Sequence, residues 1–449
     1  MSKAIKVQKG VDINLVGKSE QKISEADFSP VVALKPDDFP GMIPKLKVKE
    51  GEEVKAGTPL FYDKQRENIV FTSPVSGEVV EVKRGAKRKI LEIRVLADKE
   101  TRYEDHTPWS SGSREELIQS MLKLGVWPFV KQRPYGIIAN PEVEPKAIFI
   151  TAFNSAPLAA DLSFTLKGEL ENFQKGINAI RKLTQGKVNL SMRKGDQVFD
   201  QVEGVEKHYF AGPHPAGNVG VQIHHIEPIN KGEVIWTLNA ADVAMIGRSL
   251  SEGKFRAERT IALSGARVKE PRYIKTLIGA QISSIIGEDG VDLDDTRLIS
   301  GDVLTGSSVN KDGHFGFYDT CLTAIPEGDS KKFFLTEGWL SPGFSSFSLS
   351  RAFPSWLIPN KKYNLDTNLN GEERAFVVTG EMEKVFPFDI YPMQLIKSIM
   401  VNDIDAMEKL GIYEVIPEDF ALCEVVCTSK INIQSVVQQG LEDLRKEFA

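Results

Sequence analysis

Three of the chain's six histidines lie in one stretch, GPHPAGNVGVQIHH, at residues 212–225. A glycine-rich turn can hold a phosphate on its backbone amides, and histidines can bind a metal or move protons. A zinc site needs about four nitrogen, sulfur or oxygen ligands. We expect VQIHH to be a strand, on which His224 and His225 would point to opposite faces and could not easily share one metal. The pattern disfavours a metal site and leaves His214 as an imidazole that titrates near neutral pH.

The cysteines are too few to hold an iron–sulfur cluster. The chain has three, and Cys423 and Cys427 form a C-x3-C pattern, whereas a four-iron cluster takes about four cysteine ligands. On a helix this spacing places both thiols on one face, where buried cysteine behaves as a small apolar residue. We therefore predict that this pair packs in a core, with reduced thiols as in a cytoplasmic protein.

Charge and composition exclude several classes of function. The net charge is −6 with a pI of about 5.7, so the basic footprint of a nucleic-acid-binding protein is missing. One basic stretch, KRGAKRK at 83–89, fits either a solvated hairpin turn or a contact with an acidic partner or lipid headgroups. The sequence contains no GxGxxG turn, the fingerprint of dinucleotide binding. We expect no transmembrane segment and no signal peptide, and hence a cytoplasmic location.

Residues 40–97 have the alternating runs and regularly spaced turns of a small β barrel or sandwich. The order GEEVKAGTPL, hairpin, SPVSGEVVEV resembles the biotinyl/lipoyl carrier domain, in which a lysine at the hairpin tip carries the cofactor. Here the tip is YDKQREN, with Arg66 near the carrier position and Lys64 two residues away. We expect the carrier fold without its cargo; modification at Lys64 is the alternative.

The remaining segments predict an α/β multidomain protein. AIFITAF, a helix over GELENFQKGINAIRKLTQG that ends at a glycine C-cap, and KVNLSM form a strand–helix–strand unit of a Rossmann-like α/β domain. Two strands around VKEPRY, a helix and RLISG resemble a soluble-ligand-binding (SLBB-like) β-grasp module. We expect the β domain at 1–100, the α/β domain at 101–257, the β-grasp domain at 258–330, and a loop-rich segment with a C-terminal helical domain at 331–449.

This series of domains, together with RGAKR, GPHPAG and SGDVLTG, resembles the A subunits of sodium-translocating NADH:quinone oxidoreductases. Related architectures occur in the C subunit of the Rnf complex and in the flavin subunit of respiratory complex I. The resemblance implies a peripheral subunit on the cytoplasmic side of the bacterial inner membrane, assembled with membrane and peripheral subunits B to F. It also implies a complex that uses NADH, flavins, iron–sulfur centres, quinone and Na+.

The same resemblance indicates that this chain itself has lost its cofactors. In the complex I flavin subunit the loop matching TAFNSAPLAAD, residues 151–161, bears carboxylates and glycines that are mostly absent here. We therefore expect a degenerate flavin-type domain at 101–257, with no redox cofactor or metal and no catalytic residue of its own. The alternative is a stand-alone flavin- or nucleotide-binding oxidoreductase.

A quinone headgroup needs flat apolar walls and one or two hydrogen-bond donors. DDFPGMIPKL, VWPFVKQRPYG and the 212–217 turn offer this mixture; interdomain packing or docking of membrane subunits is the alternative for the first two. The candidate quinone-binding residues are Phe39, Gly41, Met42, Trp127, Phe129, Arg133, Tyr135 and His214. We also expect the proline- and aromatic-rich turns at 339–359 to offer a docking surface.

Overall fold

The computed structural model describes residues 4–329, 333, 335 and 340–447. Within them the strands form sheets of seven, six, four and three strands. The strands are β1 (Ile5–Lys6), β2 (Ile23–Glu25), β3 (Val31–Leu34), β4 (Pro44–Leu46), β5 (Glu53–Val54), β6 (Pro59–Asp63), β7 (Arg66–Thr72), β8 (Gly77–Arg84), β9 (Ile90–Ala97), β10 (Lys131–Arg133), β11 (Ile137–Ile138), β12 (Ala147–Thr151), β13 (Lys187–Arg193), β14 (Glu206–Ala211), β15 (Ile235–Asn239), β16 (Glu258–Ser264), β17 (Arg272–Leu277), β18 (Thr296–Ser300), β19 (Ser307–Val309) and β20 (Cys321–Pro326).

The helices of the described residues flank the seven-stranded sheet and make up much of the C-terminal region. The α-helices are α1 (Arg114–Leu124), α2 (Leu162–Leu166), α3 (Leu170–Ile180), α4 (Val219–Ile226), α5 (Ala240–Glu252), α6 (Ile282–Ile286), α7 (Pro392–Met400), α8 (Ile404–Lys409), α9 (Ala421–Val426) and α10 (Ile433–Glu447). Short 3-10 helices span Pro36–Asp38, Ala86–Arg88, Trp127–Phe129, Arg181–Leu183, Pro354–Leu357, Met382–Lys384, Ile412–Glu414 and Pro417–Phe420.

The N-terminal β structure consists of two small sheets, ordered β3-β9-β8-β5 and β4-β6-β7. This confirms the β prediction for 40–97. The hairpin β6–β7 turns at Lys64 and Gln65, and its tip is held from outside the unit: the Arg445 guanidinium donates to Gln65 Oε1 (2.6 Å) and to the Gly41 carbonyl (2.7 Å). The hairpin that would carry a cofactor in a carrier domain is therefore tied to α10.

The first strands of the chain join other sheets. β1 pairs in parallel with β14 of the seven-stranded sheet, and β2 pairs in parallel with β17 of the six-stranded sheet. The predicted 1–100 unit thus shares its first strands with both later sheets. These pairings link the first 25 residues to sheets formed more than 180 residues further along the chain, which ties the domains into one packed body.

The seven-stranded sheet has the order β1-β14-β13-β12-β15-β10-β11. The predicted strand–helix–strand unit is confirmed, since β12 and β13 pair in parallel and α3 lies between them in the chain. From β12 the chain builds β13 and β14 to one side, and then returns to place β15 on the other side of β12. The sheet therefore changes direction between β12 and β15, a topological switch point.

Two predictions for this domain are wrong. Helix α3 ends at Ile180, with Arg181 as its C-cap, and does not run on to the glycine at 186. VQIHH is not a strand but part of helix α4. The physical reason is tertiary packing: Val219, Ile223 and Ile226 recur at i, i+4 and i+7 and pack against the underside of β12 and β15. Burial along this stripe overrides the strand preference of β-branched residues.

The two strands, the helix and the third strand predicted at 258–305 are present as β16, β17, α6 and β18. The three strands belong to the six-stranded sheet, which has the order β19-β18-β20-β16-β17-β2. The C-terminal helices α7, α9 and α10 pack in a second core with Val7, Phe210 and Val221 of the α/β domain. Cys423 and Cys427 are both buried in this core. The C-terminal region thus covers one side of the seven-stranded sheet near α4.

Candidate functional site: a cleft at the switch point of the sheet

A cleft of about 440 Å³ opens at the carboxyl ends of β12 and β15. Thr151 and Asn239, the last residues of the two strands, are register partners and both line it. In open α/β sheets ligands bind at this position, outside the carboxyl ends of strands at the switch point. Two of the motifs noted in the sequence, GPHPAG (212–217) and SGDVLTG (300–306), meet here, because each contributes lining residues.

An aromatic wall forms one side of the cleft. The Phe129 and Phe317 rings stack with centroids 4.7 Å apart, and Tyr318 meets Phe317 edge-on at 5.0 Å. The Tyr318 hydroxyl donates to the Pro128 carbonyl (2.7 Å), which fixes the ring. Lys131 Nζ lies 3.5 Å from the Tyr318 ring centroid, a cation–π contact.

Lys131 is the free cation of this wall. No carboxylate of the described residues lies within ion-pair distance of its ammonium, and burial lowers its pKa, although Glu418 and Asp242 oppose that shift. A half-buried ammonium held against an aromatic face can donate hydrogen bonds to a ligand oxygen. The wall therefore presents mainly the half-buried Tyr318 ring with one charged donor beside it, whereas Phe129 and Phe317, 1% and 3% exposed, back that ring from the core.

Carboxylates line the same cleft close to the aromatic wall. Asp242 accepts from Arg259 Nη2 (2.5 Å), and burial nevertheless raises its pKa. Asp38 accepts from the Phe317 backbone N–H (2.9 Å), and desolvation raises its pKa to about 6 despite nearby Lys35. Acids whose pKa is raised by burial are typical of functional sites.

The 212–217 turn places His214 in the cleft wall. Its backbone N–H donates to Asp12 Oδ1 (2.8 Å), and its Nδ1 lies 3.0 Å from Ser155 Oγ. The side chain is buried, and desolvation lowers its pKa to about 4. The expectation that His214 titrates near neutral pH is therefore wrong: the imidazole is neutral there, because no counter-charge compensates its burial.

Of the eight candidate quinone-binding residues, three line the cleft: Phe129, Arg133 and His214. Phe39 lies one layer deeper, with its ring 4.9 Å from that of Phe317. The candidates from two separate segments thus meet at one aromatic cluster, although Phe39 contacts the cleft only through Phe317 and Tyr318.

Arg133 binds buried groups of the C-terminal region and has a structural role in the cleft wall. Its Nη1 donates to Asp419 Oδ2 (2.6 Å) and to the Glu414 carbonyl (3.0 Å), and its Nη2 donates to Glu418 Oε1 (3.0 Å). Both Arg133 and Asp419 are buried. The guanidinium therefore anchors β10 to the C-terminal region, and only its Nε remains without a partner.

The other four candidates lie elsewhere. Trp127 is buried in the α/β domain, where its indole N–H donates to the Ala139 carbonyl (2.9 Å). Tyr135 packs against the C-terminal core, with its ring 6.5 Å from that of Tyr413. Gly41 and Met42 lie outside the cleft lining: Gly41 is bound by Arg445, and Met42 packs on the main core. The sequence thus grouped residues that the fold separates.

Sequence reasoning missed Lys131, Asp242, Phe317 and Tyr318. Lys131 is part of the VKQRPYG segment. The only pattern that pointed to it is its spacing of two from Arg133, which places both side chains on one face of a short strand. HFGFYD, at 314–319, pairs aromatic residues with glycine and a carboxylate between two strands. That pattern could have marked a ligand-facing loop.

The paired histidines of α4 are engaged in protein contacts. His224 Nδ1 lies 2.6 Å from Glu414 Oε1, and its Nε2 accepts from the Asp389 backbone N–H (3.2 Å). His225 Nδ1 lies 2.8 Å from the Val221 carbonyl. Within the described ranges no group of three or more His, Cys, Asp or Glu side chains could hold a metal ion.

A second cavity, of about 480 Å³, lies where α5, the six-stranded sheet and the N-terminal β unit meet. Its arginine Arg248 donates to the Glu258 carbonyl (2.8 Å) and pairs with Glu169 (3.3 Å). Arg248 is thereby bound within the protein through both terminal nitrogens, and only the other cavity lies at the carboxyl ends of strands at the switch point, which makes that cavity the better candidate site.

Three family models match successive parts of the chain. One described as NqrA N-terminal barrel-sandwich hybrid domain matches residues 5–98, one described as NqrA second alpha/beta domain matches 112–255, and one described as NQRA C-terminal domain matches 260–311. They assign the first sheets to a barrel-sandwich domain, the seven-stranded sheet to an α/β domain and the six-stranded sheet to an SLBB domain.

Full-length relatives decide the family. The A subunit of the Na(+)-translocating NADH-quinone reductase of Neisseria meningitidis serogroup A / serotype 4A (strain DSM 15465 / Z2491) is 37% identical, over 99% of this chain and 100% of that protein. The chain belongs to the NqrA family, the A subunits of Na(+)-translocating NADH-quinone reductases. Another member, from Rhodopirellula baltica (strain DSM 10527 / NCIMB 13988 / SH1), is 36% identical over 98% of each chain. The resemblance of the ordered domains and motifs to this family is thereby confirmed.

Among solved structures, an NAD+-reducing [NiFe]-hydrogenase in the air-oxidized state aligns with 48% of this chain and 47% of that chain, at 11% identity and a TM-score of 0.36. A likeness this weak carries no argument. In the portions of this NqrA family member that the structure describes, no helix has both the length and the apolar character needed to cross a bilayer.

Proposed function

We propose that this chain is a peripheral subunit of a Na+-translocating NADH:quinone oxidoreductase on the cytoplasmic side of the inner membrane. It assembles with subunits B to F of a complex that oxidises NADH, reduces quinone and exports Na+. Support comes from the full-length relatives, each named as the A subunit of the Na(+)-translocating NADH-quinone reductase. Its α/β domain is a degenerate Rossmann-like flavin domain, and its C-terminal helices form a helical domain that buttresses it.

The chain's own task is to hold a quinone headgroup in the cleft at the switch point. One observation supports this most: the Tyr318 ring, backed by Phe129 and Phe317, lies beside the Lys131 ammonium, which has no ion-pair partner among the described residues. A quinone ring stacks on such a wall, and its carbonyl oxygen accepts from a cationic donor. Neutral His214, on the 212–217 turn, is placed in the same cleft to offer a second hydrogen bond.

The chain performs this task without a redox cofactor. The cleft edge that the resemblance assigns to flavin binding is formed by Thr151, Phe153, Asn154 and Ala156, so it lacks the carboxylates that hold ribityl hydroxyls in the flavin relatives. The cysteine pair at 423 and 427 is buried in the C-terminal core, away from any further thiol that could complete a cluster, because Cys321 is in β20.

Calorimetric titration of the purified chain with a short-chain quinone tests the quinone proposal. We expect saturable binding, and a loss of affinity of about tenfold or more in Lys131→Met, because a hydrogen bond to a charged donor is removed. Lys175→Met is the matched control, since Lys175 lies exposed on α3 and pairs with Glu171. Equal affinity in the wild-type protein and Lys131→Met would show that quinone does not bind beside Lys131 in this cleft. The absence of any binding would indicate that the chain has only a structural role.

A further inference from the structure

Residues 340–365 expose an apolar tip. Trp356, Leu357 and Ile358 are consecutive and 48%, 63% and 41% exposed, and Phe344 of the preceding arm is 60% exposed. A single exposed apolar residue is ordinary, but four on one short loop form a patch that water solvates poorly. We call Phe344 and residues 356–358 the apolar tip.

An ordered base presents this tip. The Ser355 hydroxyl donates to the Ser346 carbonyl (2.5 Å), which joins the two arms of the loop. Tyr363 is buried, its ring lies 5.3 Å from that of Phe347, and its backbone bridges Leu15 of the N-terminal segment. The exposed side chains therefore project from a fixed platform, and their exposure is not caused by a lack of contacts at the base.

The segment that carries the tip is locally rich in cations. Residues 340–365 contain Arg351, Lys361 and Lys362 but no Asp or Glu, the next carboxylates along the chain being Glu337 and Asp366, although the whole chain has a net charge of −6. The Arg351 guanidinium lies 5.2 Å from the Trp356 ring centroid, so charge and apolar surface are adjacent. None of the three cations forms an ion pair with a carboxylate of the described residues.

We propose that this loop is a membrane-contact site that inserts the apolar tip into the headgroup region of an anionic lipid surface. Tryptophan beside aliphatic residues favours the boundary between headgroups and acyl chains, and flanking Lys or Arg side chains bind anionic lipids there. A lipid surface fits the combination of an apolar tip with Arg351 beside it and two further cations, Lys361 and Lys362, in the same segment. The loop would thereby orient the protein on the bilayer through its own residues, independently of whether the cleft binds quinone.

Vesicle co-sedimentation of the full chain tests this proposal. We expect binding to phosphatidylglycerol-containing vesicles, and far weaker binding to pure phosphatidylcholine. The triple variant Trp356→Ser/Leu357→Ser/Ile358→Ser should lower the partition coefficient at least tenfold. Arg351→Gln/Lys362→Gln should lower it about fivefold for each charge removed. Lys87→Gln/Arg88→Gln is the control, because it also removes two cations from an exposed basic segment, but from one without an apolar tip.

Three results would overturn the proposal. The first is a wild-type chain that ignores anionic vesicles. The second is an equal loss of binding in the control, which would show unspecific attraction. The third is a triple variant that binds vesicles normally but no longer co-purifies with the membrane subunits, which would make a protein the partner. Unchanged thermal unfolding of all variants excludes misfolding as the cause of a loss, and quinone titration of the same variants separates this outcome from failure of the cleft proposal.

Discussion

Burial of charge shapes the chemistry of individual cleft residues. Among the described residues Lys131 has no ion-pair partner, whereas both terminal nitrogens of Arg133, two residues on, bind Asp419 or Glu418. Only an unengaged donor can turn to a ligand without breaking a protein contact. Under the proposed quinone binding, the hydrogen-bond donor is therefore Lys131 and not Arg133, the donor that the sequence suggested.

Asp38 makes stability depend on pH. Its pKa is raised to about 6 in the folded protein from an ordinary value of 3.8, so the folded state binds a proton more readily than the unfolded state. The penalty for ionising it is absent below about pH 4 and complete above about pH 6. We expect the stability of the wild-type protein relative to Asp38→Asn to fall by about 1–3 kcal/mol as pH rises through this window. Urea unfolding at several pH values measures this, and a pH-independent difference would contradict it.

Removing Arg133 should cost more stability than removing a surface arginine. Arg133→Ala leaves the buried Asp419 without its counter-charge, which costs about 3–5 kcal/mol. Arg102→Ala is the control: its pair with Asp98 is exposed, and such pairs contribute little to stability because water screens them. Urea denaturation of both variants checks this. A similar small loss in both would show that Arg133 does not anchor the C-terminal region.

At the scale of elements, strands and helices with a strong local pattern could be predicted from the sequence. Helix α1 is an example: Ser113 and Glu116 form a capping box, and Gly125 closes the helix in the left-handed conformation. Helix α4 could not be predicted, because its stripe becomes visible only once the sheet that it covers is known. Likewise, the pairing of β1 with β14 depends on contacts between residues about 200 positions apart.

The crossing of α3 and α5 depends on glycine. A Cβ on Gly247 would lie 2.0 Å from the Asn172 carbonyl oxygen and 2.5 Å from the Gly176 nitrogen. We expect Gly247→Ala to destabilise the protein by about 1–3 kcal/mol, because the steric clash of the added methyl group outweighs the higher helix propensity of alanine. Gly168→Ala is the control, since nothing lies within 4 Å of its added Cβ. Thermal unfolding that is unchanged in Gly247→Ala would contradict this close packing.

At the scale of the whole molecule, the cleft is an assembly of four distant segments. The N-terminal unit supplies Asp38, the α/β domain Lys131, the β-grasp sheet Tyr318, and the C-terminal region Glu418. Single motifs in the sequence indicated parts of it, such as the 212–217 turn. The complete set of cleft residues could not be predicted, because a local sequence pattern does not determine which loops come together when the domains pack.

The whole chain should also be free of covalent and flavin cargo. The Lys64–Gln65 hairpin tip is held to α10 by Arg445, so it cannot swing as the arm of a carrier domain does. We expect the intact mass to equal that of the unmodified sequence and the absorbance spectrum to show no flavin band. A yellow preparation would favour a stand-alone flavin oxidoreductase, and added mass at Lys64 would favour a carrier protein.

The most direct test of quinone binding in the cleft is the KM for quinone of the complex assembled with the wild-type or the Lys131→Met chain. Binding in the cleft predicts a KM raised about tenfold or more with kcat at saturating quinone preserved, because binding energy to the headgroup is lost without touching the electron-transfer chain. An unchanged KM in a complex that assembles normally would contradict a quinone site in this cleft.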